Sequence, residues 1–534
     1  MCLDFQNRFS KIYLSKILPN FKKYGKINKT IFYKGEDKMT EVLAFVLYFV
    51  IVLMIGIYFF IKSKSIDEKD YFLGGRKMGP WVTAMSAQAS DMSAWLLMGL
   101  PGSILAFGLG QAWIGIGLAL GTALNWIFIA KRLRKFSKAS GDAITMPQYL
   151  SNRFMTANPA LKIICAVVFL VSFTLYVASA FSAGSKVFSD LFPALGEQNA
   201  MIIFAVIILV YTFLGGYKAV CWTDFFQGIL MLLALLAVPI VVAVTKTLDA
   251  TALSTITTAN GAVYPFTTNL FSASAKEIIS GLGWGLGYFG MPHILVRFMA
   301  IEKPSMVKKS AIVAIIWVVI TLLAAIVIAY LGRMVIGAEL LEAGKQELVF
   351  VTLARRLFPG FIAGILLAAI IAASMSTADS QLLVASSSFT SDIYKPIIRK
   401  NANEKEILWV GRIVVIVVSI IAFFIANSKG EGAQAVMDMV SNAWALFGAA
   451  FGPVMILSLF WKRLTYNGAL FGIISGAIVD ILWLVYMSYT GIYEIVPAFI
   501  VSLIVTVAVS LIDKKPSDEI IAIFNKATDN SIDD

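Results

Sequence analysis

The chain has 534 residues, 59% of them hydrophobic and 14% charged, with a mean hydropathy of +0.82. A water-soluble domain carries about a quarter charged residues, so this composition excludes a soluble globule. Three cysteines (Cys2, Cys165, Cys221) and one histidine (His293) exclude a disulfide framework and a spaced zinc or iron site. The formal net charge of +12 reads as basic loops facing anionic lipid and the cytoplasm, not as a nucleic-acid surface.

Apolar runs recur from residue 41 to residue 512, each long enough to cross a hydrocarbon core of ~30 Å. The predicted spans are 41–61, 79–100, 109–130, 161–185, 199–217, 224–245, 277–300, 310–331, 361–390, 407–426, 436–461, 468–488 and 494–512. This pattern is that of an all-α polytopic membrane protein with about 13 transmembrane helices. The connectors 246–276 and 332–360 are long, and the second ends in an amphipathic piece, "ELVFVTLARRLF".

Basic residues set the orientation. Lys62, Lys64, Lys69, Arg76 and Lys77 follow the first span, Lys131, Arg132, Arg134, Lys135, Lys138, Arg153 and Lys162 the third, and Lys395, Arg399, Lys400, Lys405 and Arg412 the ninth. The alternate connections are nearly uncharged: 101–111 has no Lys or Arg, and 186–200 has only Lys186. An outside N-terminus and a cytoplasmic C-terminus follow, with 332–360 (Arg333, Lys345, Arg355, Arg356) as the one poor fit. The same rule conflicts with residues 1–38, which carry nine Lys or Arg and no apolar signal-peptide core. The expectation is that translation begins at Met39 and that 1–38 is a mis-assigned extension; the alternative is a disordered basic tail.

Two spans read as interrupted. The second carries "SAQASDMSAW", with Asp91 at membrane depth, and the seventh carries "GLGWGLGYFGMPH", where Gly281, Gly283, Gly285, Gly287, Gly290 and Pro292 disfavour a continuous helix. Close helix packing is the competing explanation for such glycines. Spans two to six and seven to eleven form two sets of five, each led by a broken span, and an odd set length forces opposite orientations. Interrupted segments at corresponding places in two inverted halves point to the binding site of a secondary transporter. A third polar stretch, "AIIAASMSTADSQLLVASSSF", puts Ser376 and Ser380 on one helical face and Ala373 and Thr377 on the next. Hydroxyls with backbone carbonyls suit a hard monovalent cation. They also bond their own backbone or a neighbouring helix, but Asp379 makes the cluster costly as packing alone.

The blocks "YFLGGRKMGPWVTAMSAQASDMSAWLLMGLPG", "YTFLGGYKAVCWTDFFQG", "GWGLGYFGMPHILVRFMA", "AASMSTADSQLLVASS" and "NAWALFGAAFGPV" resemble the sodium:solute symporter family, in register from about residue 41 to about 515. The resemblance implies thirteen helices, a five-plus-five inverted-repeat core, and inward co-transport of L-proline with Na+ by alternating access. It implies a sodium site of Ala89, Met92 and Ala373 carbonyls with Ser376 and Thr377 hydroxyls, and Asp91 and Ser93 beside it shaping sodium affinity. Asp91 can equally cap the second half of its helix. The implied substrate wall is Ser93, Trp95, Gly99, Tyr176, Trp284 and Tyr288, where aromatic faces suit proline's ammonium and a broken helix end its carboxylate. Asp224 and Asp379 stay open between a cation or exit-route role and partnership with a basic residue. His293 reads as structural, and Asp480 as a packing or interface residue.

The expected division is 1–38 doubtful extension, 39–78 first helix and loop, 79–246 first repeat, 247–461 connector and second repeat, 462–512 two further helices, and 513–534 a cytoplasmic tail. The alternatives are a symporter for another small solute and a transporter-like sensor, for which the tail is too short to add a regulatory domain. No nucleophile–base pair or metal cluster suggests an enzyme, and no organic cofactor is expected.

Overall fold

The computed structural model describes residues 35–62, 68–214, 216–429 and 435–529. Most of the 1–38 extension lies outside the described residues. The first helix, α1, runs Gly35–Lys62. After it come a broken pair, α2 (Pro80–Met92) and α3 (Gly99–Phe107), then α4 (Ala112–Leu124), which continues as one rod to Ala139. Next are α5 (Ala160–Leu191), α6 (Gly196–Leu214) and α7 (Tyr217–Thr245). A second broken pair follows, α8 (Ala275–Gly283) and α9 (Pro292–Ala300), then α10 (Val307–Ile336) and the short amphipathic α11 (Val349–Leu357). The chain ends with α12 (Gly360–Phe389), α13 (Glu404–Lys429), α14 (Ala435–Phe460), α15 (Tyr466–Tyr486), α16 (Ile495–Ile512) and α17 (Asp518–Thr528).

Among the described residues, 11 helices are long and apolar enough to cross a membrane. The two broken pairs complete the expected crossings, each leading a set of five, so the second set runs opposite to the first. The second and third crossings extend past the expected ends, to Phe107 and Ala139. The core lies along α12 and α14, whose apolar windows are 83% buried against 28% for α1. That depth accounts for α12 carrying hydroxyls where lipid-facing helices carry Ile, Leu and Val.

The breaks have local causes. Helix α2 starts on Pro80, whose fixed φ and missing N–H suit a first turn, and ends where Ser93 takes φ +41°. In the second pair a tight turn over Trp284–Phe289 bridges α8 to Met291, and Pro292 opens α9. Both readings of the glycine run hold. The chain is broken there, and a Cβ on Gly285 or Gly287 would stand 2.4 Å from the Gly117 oxygen or 2.0 Å from Trp444 Nε1.

Of the basic residues that fit the orientation rule poorly, Arg333 is buried, Arg355 and Arg356 carry ion pairs, and Lys345 is exposed. Buried Arg333 donates to the carbonyls of Ala252, Ser254 and Leu105. Arg355 pairs with Glu41 at 2.8 Å and with Asp190, and Arg356 with Glu339 at 2.5 Å. The connector 246–276 contains a two-residue antiparallel ribbon, Ile256–Thr257 against Val263–Tyr264, and clamps the end of α3. Thr267 N donates to Phe107 O at 3.0 Å, and Leu109 N to Thr267 O at 2.9 Å. Between them Gly108 has φ +85°, and a Cβ would fall 2.2 Å from Thr267 O. Gly108→Ala is expected to cost about 2 kcal/mol or more and to lower the thermal midpoint of the solubilised protein. An unchanged midpoint would mean the clamp is loose at that point.

Candidate functional site

The last four carbonyls of a helix have no partner within it. In α2 these belong to Ala89, Ser90, Asp91 and Met92. Ser376 Oγ on α12 donates to Ala89 O at 2.8 Å and lies 3.2 Å from Ala373 O. Tyr176 OH on α5 donates to Asp91 O at 3.3 Å. Thr377, beside Ser376, is fully buried and its hydroxyl has no hydrogen-bond partner. Ser374 bonds back to Ile370 O at 3.0 Å, the usual resort of a helical hydroxyl, so Thr377 stands apart. An unpaired buried hydroxyl costs about 1–3 kcal/mol. Ser376 thus joins Ala89 and Ala373 at the end of α2 that Met92 closes, and Thr377 is the next residue along α12. Oxygen donors of this kind suit a hard cation.

Past Met92, Ser93 caps the Ala94–Leu96 turn by accepting from Trp95 N at 3.1 Å. This aims Trp95 at the second broken pair, where it stacks on Trp284 with centroids 5.3 Å apart. Tyr288 OH donates to Asp91 Oδ2 at 2.6 Å, joining the two breaks directly. Around them lies a cavity of about 10 Å³, lined by Asp91, Trp95, Tyr176, Trp284, Tyr288 and Trp444 together with Met92, Leu118 and Val440. That is room for about one water, so an organic solute must part these rings to bind. Ser93 and Gly99 do not line this small space, although the Ser93 side chain lies beside the Tyr176 hydroxyl. Gly99 backs the indole of Trp95, with a Cβ position 2.8 Å from its Cδ1.

Trp444 on α14 is a wall residue the sequence reading did not single out. Its Nε1 donates to Trp284 O at 2.8 Å, and its ring meets Tyr288 edge-on at 5.0 Å. Asn125, whose Nδ2 donates to Tyr288 O at 3.0 Å, supports the wall from behind and was likewise not singled out. An amide inside the otherwise apolar "LALGTALNWIFIA" is the signal that could have found it.

One and a half turns back along α2, Ser86 belongs to a second cluster. Asp224 on α7 accepts from Ser86 Oγ at 2.7 Å and from Arg297 Nη2 at 3.0 Å. Arg297 on α9 also reaches Ser380 Oγ at 2.5 Å and His293 O at 2.6 Å. Both charges are essentially sealed from solvent, at 0% exposure for Asp224 and 1% for Arg297. The open question over Asp224 thus gains a named partner. Asp379 accepts from Ser380 Oγ at 3.3 Å, while its Oδ2 and Asp224 Oδ1 have no hydrogen bond. Ser376 and Ser380, one turn apart on α12, connect the two clusters. His293 contributes its backbone, and its ring nitrogens are unbonded.

Two broken helix pairs meeting at mid-membrane in a five-plus-five inverted core define an ion-coupled secondary transporter. The sequence profile of the sodium:solute symporter family matches residues 71–476. The chain belongs to that family of symporters. It is 44% identical over 482 residues to the sodium/proline symporter 2 of Staphylococcus saprophyticus, covering 88% of this chain and 92% of the relative. It is 43% identical over 493 residues to the sodium/proline symporter of Staphylococcus aureus, covering 90% and 94%. In fold it is similar to a solved sodium-coupled sialic acid symporter in a substrate-bound outward-open state, with a TM-score of 0.68 at 19% identity over 90% of this chain and 99% of that one. A nucleobase–cation symporter in a closed conformation is more distant, with a TM-score of 0.50 at 12% identity over 85% and 98%.

Removing one partner of a buried ion pair costs about 3–5 kcal/mol, because the other charge is stranded. Arg297→Met is therefore expected to reduce folded protein sharply. Arg297→Met with Asp224→Asn should recover most of it, as read by size-exclusion of a fluorescent fusion. Equal losses in both variants would mean the pair is not coupled.

Proposed function

We propose that this protein imports L-proline with Na+ across the plasma membrane by alternating access. The observation that carries the reading is the end of α2, where Ser376 joins the Ala89 and Ala373 carbonyls and Tyr288 holds Asp91, with the buried, unpartnered Thr377 hydroxyl on the residue after Ser376. The names of the relatives, similar along nearly their whole length, supply the solute.

In this reading the carbonyls of Ala89, Met92 and Ala373 and the hydroxyls of Ser376 and Thr377 hold the sodium ion. The ion pins the loose end of α2 to α12. Asp91, one residue before Met92, then holds Tyr288 and draws the second break against the first. Trp95, Trp284, Tyr176, Tyr288 and Trp444 enclose the prolyl ring, with aromatic faces toward its ammonium, a contact worth about 0.5–2 kcal/mol. Sodium binds first, and ordering the juncture raises the affinity for proline. That coupling is a difference in binding free energy and is reciprocal. One sodium ion driven by 100 mV supplies about 2.3 kcal/mol and a tenfold gradient about 1.4 kcal/mol more, enough for several-hundred-fold accumulation. The Asp224–Arg297 cluster with Asp379 lies between this site and the basic ends of the helices, on the exit side. Those ends face the cytoplasm, the N-terminus lies outside, and residues 79–246 and 247–461 are the two repeats.

Sodium-driven uptake of radiolabelled proline into proteoliposomes tests the reading, with a panel of amino acids, sugar acids and vitamins as competitors. Proline should compete best; a better competitor would move the assignment to that solute. In the same assay Thr377→Ala should raise the sodium concentration for half-maximal uptake about tenfold, the loss of one hydrogen-bond-strength ligand. An unchanged sodium curve would remove Thr377 from the site.

A further inference from the structure

A second built pocket lies far from the transport site. It holds about 230 Å³ where the extension of α4, the turn after α9 and α17 converge. That volume is below the roughly 300–1,000 Å³ of sites for drug-sized molecules. Its polar lining is Arg134, Lys135, Lys138, Lys303 and Lys526, with one carboxylate, Glu302. The positive charge gathered along this recess attracts anions, a multivalent one most.

The pocket is held open by specific contacts. Arg134 is only 4% exposed. Its Nε donates to Ile301 O at 2.6 Å and its Nη2 to Glu302 O at 2.9 Å, while Nη1 has no hydrogen-bond acceptor. Lys135 Nζ donates to Asp529 O at 3.0 Å. The α17 wall is anchored by Phe524, edge-on to Phe136 at 5.1 Å and capped by Arg153 at 5.2 Å. The segment expected as a plain tail is thus a docked helix.

The rod from Ala112 to Ala139 is about 42 Å long at 1.5 Å per residue, longer than the ~30 Å hydrocarbon core. Arg134 and Lys138 therefore lie at headgroup level, where basic recesses between helices take anionic headgroups. Guanidinium and ammonium groups around one small space match phosphate oxygens. We propose that this pocket binds a phosphate-bearing anion, bridging α17 to the ends of α4 and α9. Its level in the membrane favours the phosphate of an anionic phospholipid over free phosphate.

The test uses the full chain, purified and delipidated, with short-chain phosphatidylglycerol and inorganic phosphate as probes. Lys138→Gln, Lys303→Gln and Lys526→Gln together change only exposed side chains, and should weaken phosphatidylglycerol binding tenfold or more. Lys400→Gln with Lys405→Gln, on another basic loop, should change it less than twofold. If inorganic phosphate fails to compete, the ligand is lipid; if it competes and its binding is lost in the triple variant, the pocket takes the free anion. Equal binding by wild type and triple variant, no binding of either probe, or an equal loss in the control overturns the proposal.

Discussion

A peptide carbonyl without a hydrogen bond in the hydrocarbon core is costly, so a transmembrane helix can stop halfway only where protein groups cover its end. The stop after Met92 is the constraint on which the rest of this structure depends. Ser376 on α12 and Tyr176 on α5 cover two of the freed carbonyls. The turn that follows is strained at Ser93 and stabilised by its own side chain, which fixes where Trp95 points. The break is thus both the origin of the oxygen-rich juncture and the reason an indole faces the second broken pair.

The two halves of the core are joined at this level by few but specific contacts. Tyr288 to Asp91, Trp284 on Trp95, and Trp444 to the Trp284 carbonyl hold the breaks together and leave almost no free volume. In the proposed reading a site closed this tightly loosens to admit a ring, and the groups that close it also line it. The Arg297–Asp224 pair below it differs in kind. It is sealed from solvent and joins α2, α7, α9 and α12 through Ser86 and Ser380, so helices of both repeats meet at one guanidinium.

Much of this was legible in the sequence, for physical reasons. Glycines and hydroxyls in the middle of apolar runs disturb the hydrophobic pattern, so both breaks and the polar face of α12 stood out. The spans were readable because bilayer thickness fixes their length. Residues whose role depends on a distant partner were not readable in the same way. Arg297, near the end of a span, looks like an ordinary flanking cation until Asp224, 73 residues earlier, is placed against it. Trp444 looks like one aromatic among many in "NAWALFGAAFGPV". The retreat of Gly99 behind Trp95 follows from the backbone at Ser93, which no residue pattern encodes. Arg333 and Arg355, which fit the charge rule poorly, have carbonyl and carboxylate partners that only the fold reveals.

The central claim is that one helix end serves ion and solute together, so that occupation of one side orders the other. Equilibrium binding to the purified protein tests it most directly: proline titrated at fixed sodium, and sodium at fixed proline, with choline holding ionic strength. The account predicts that each ligand tightens the other by the same factor, about tenfold or more, as linkage requires. Proline binding of equal strength in choline and in sodium would contradict it.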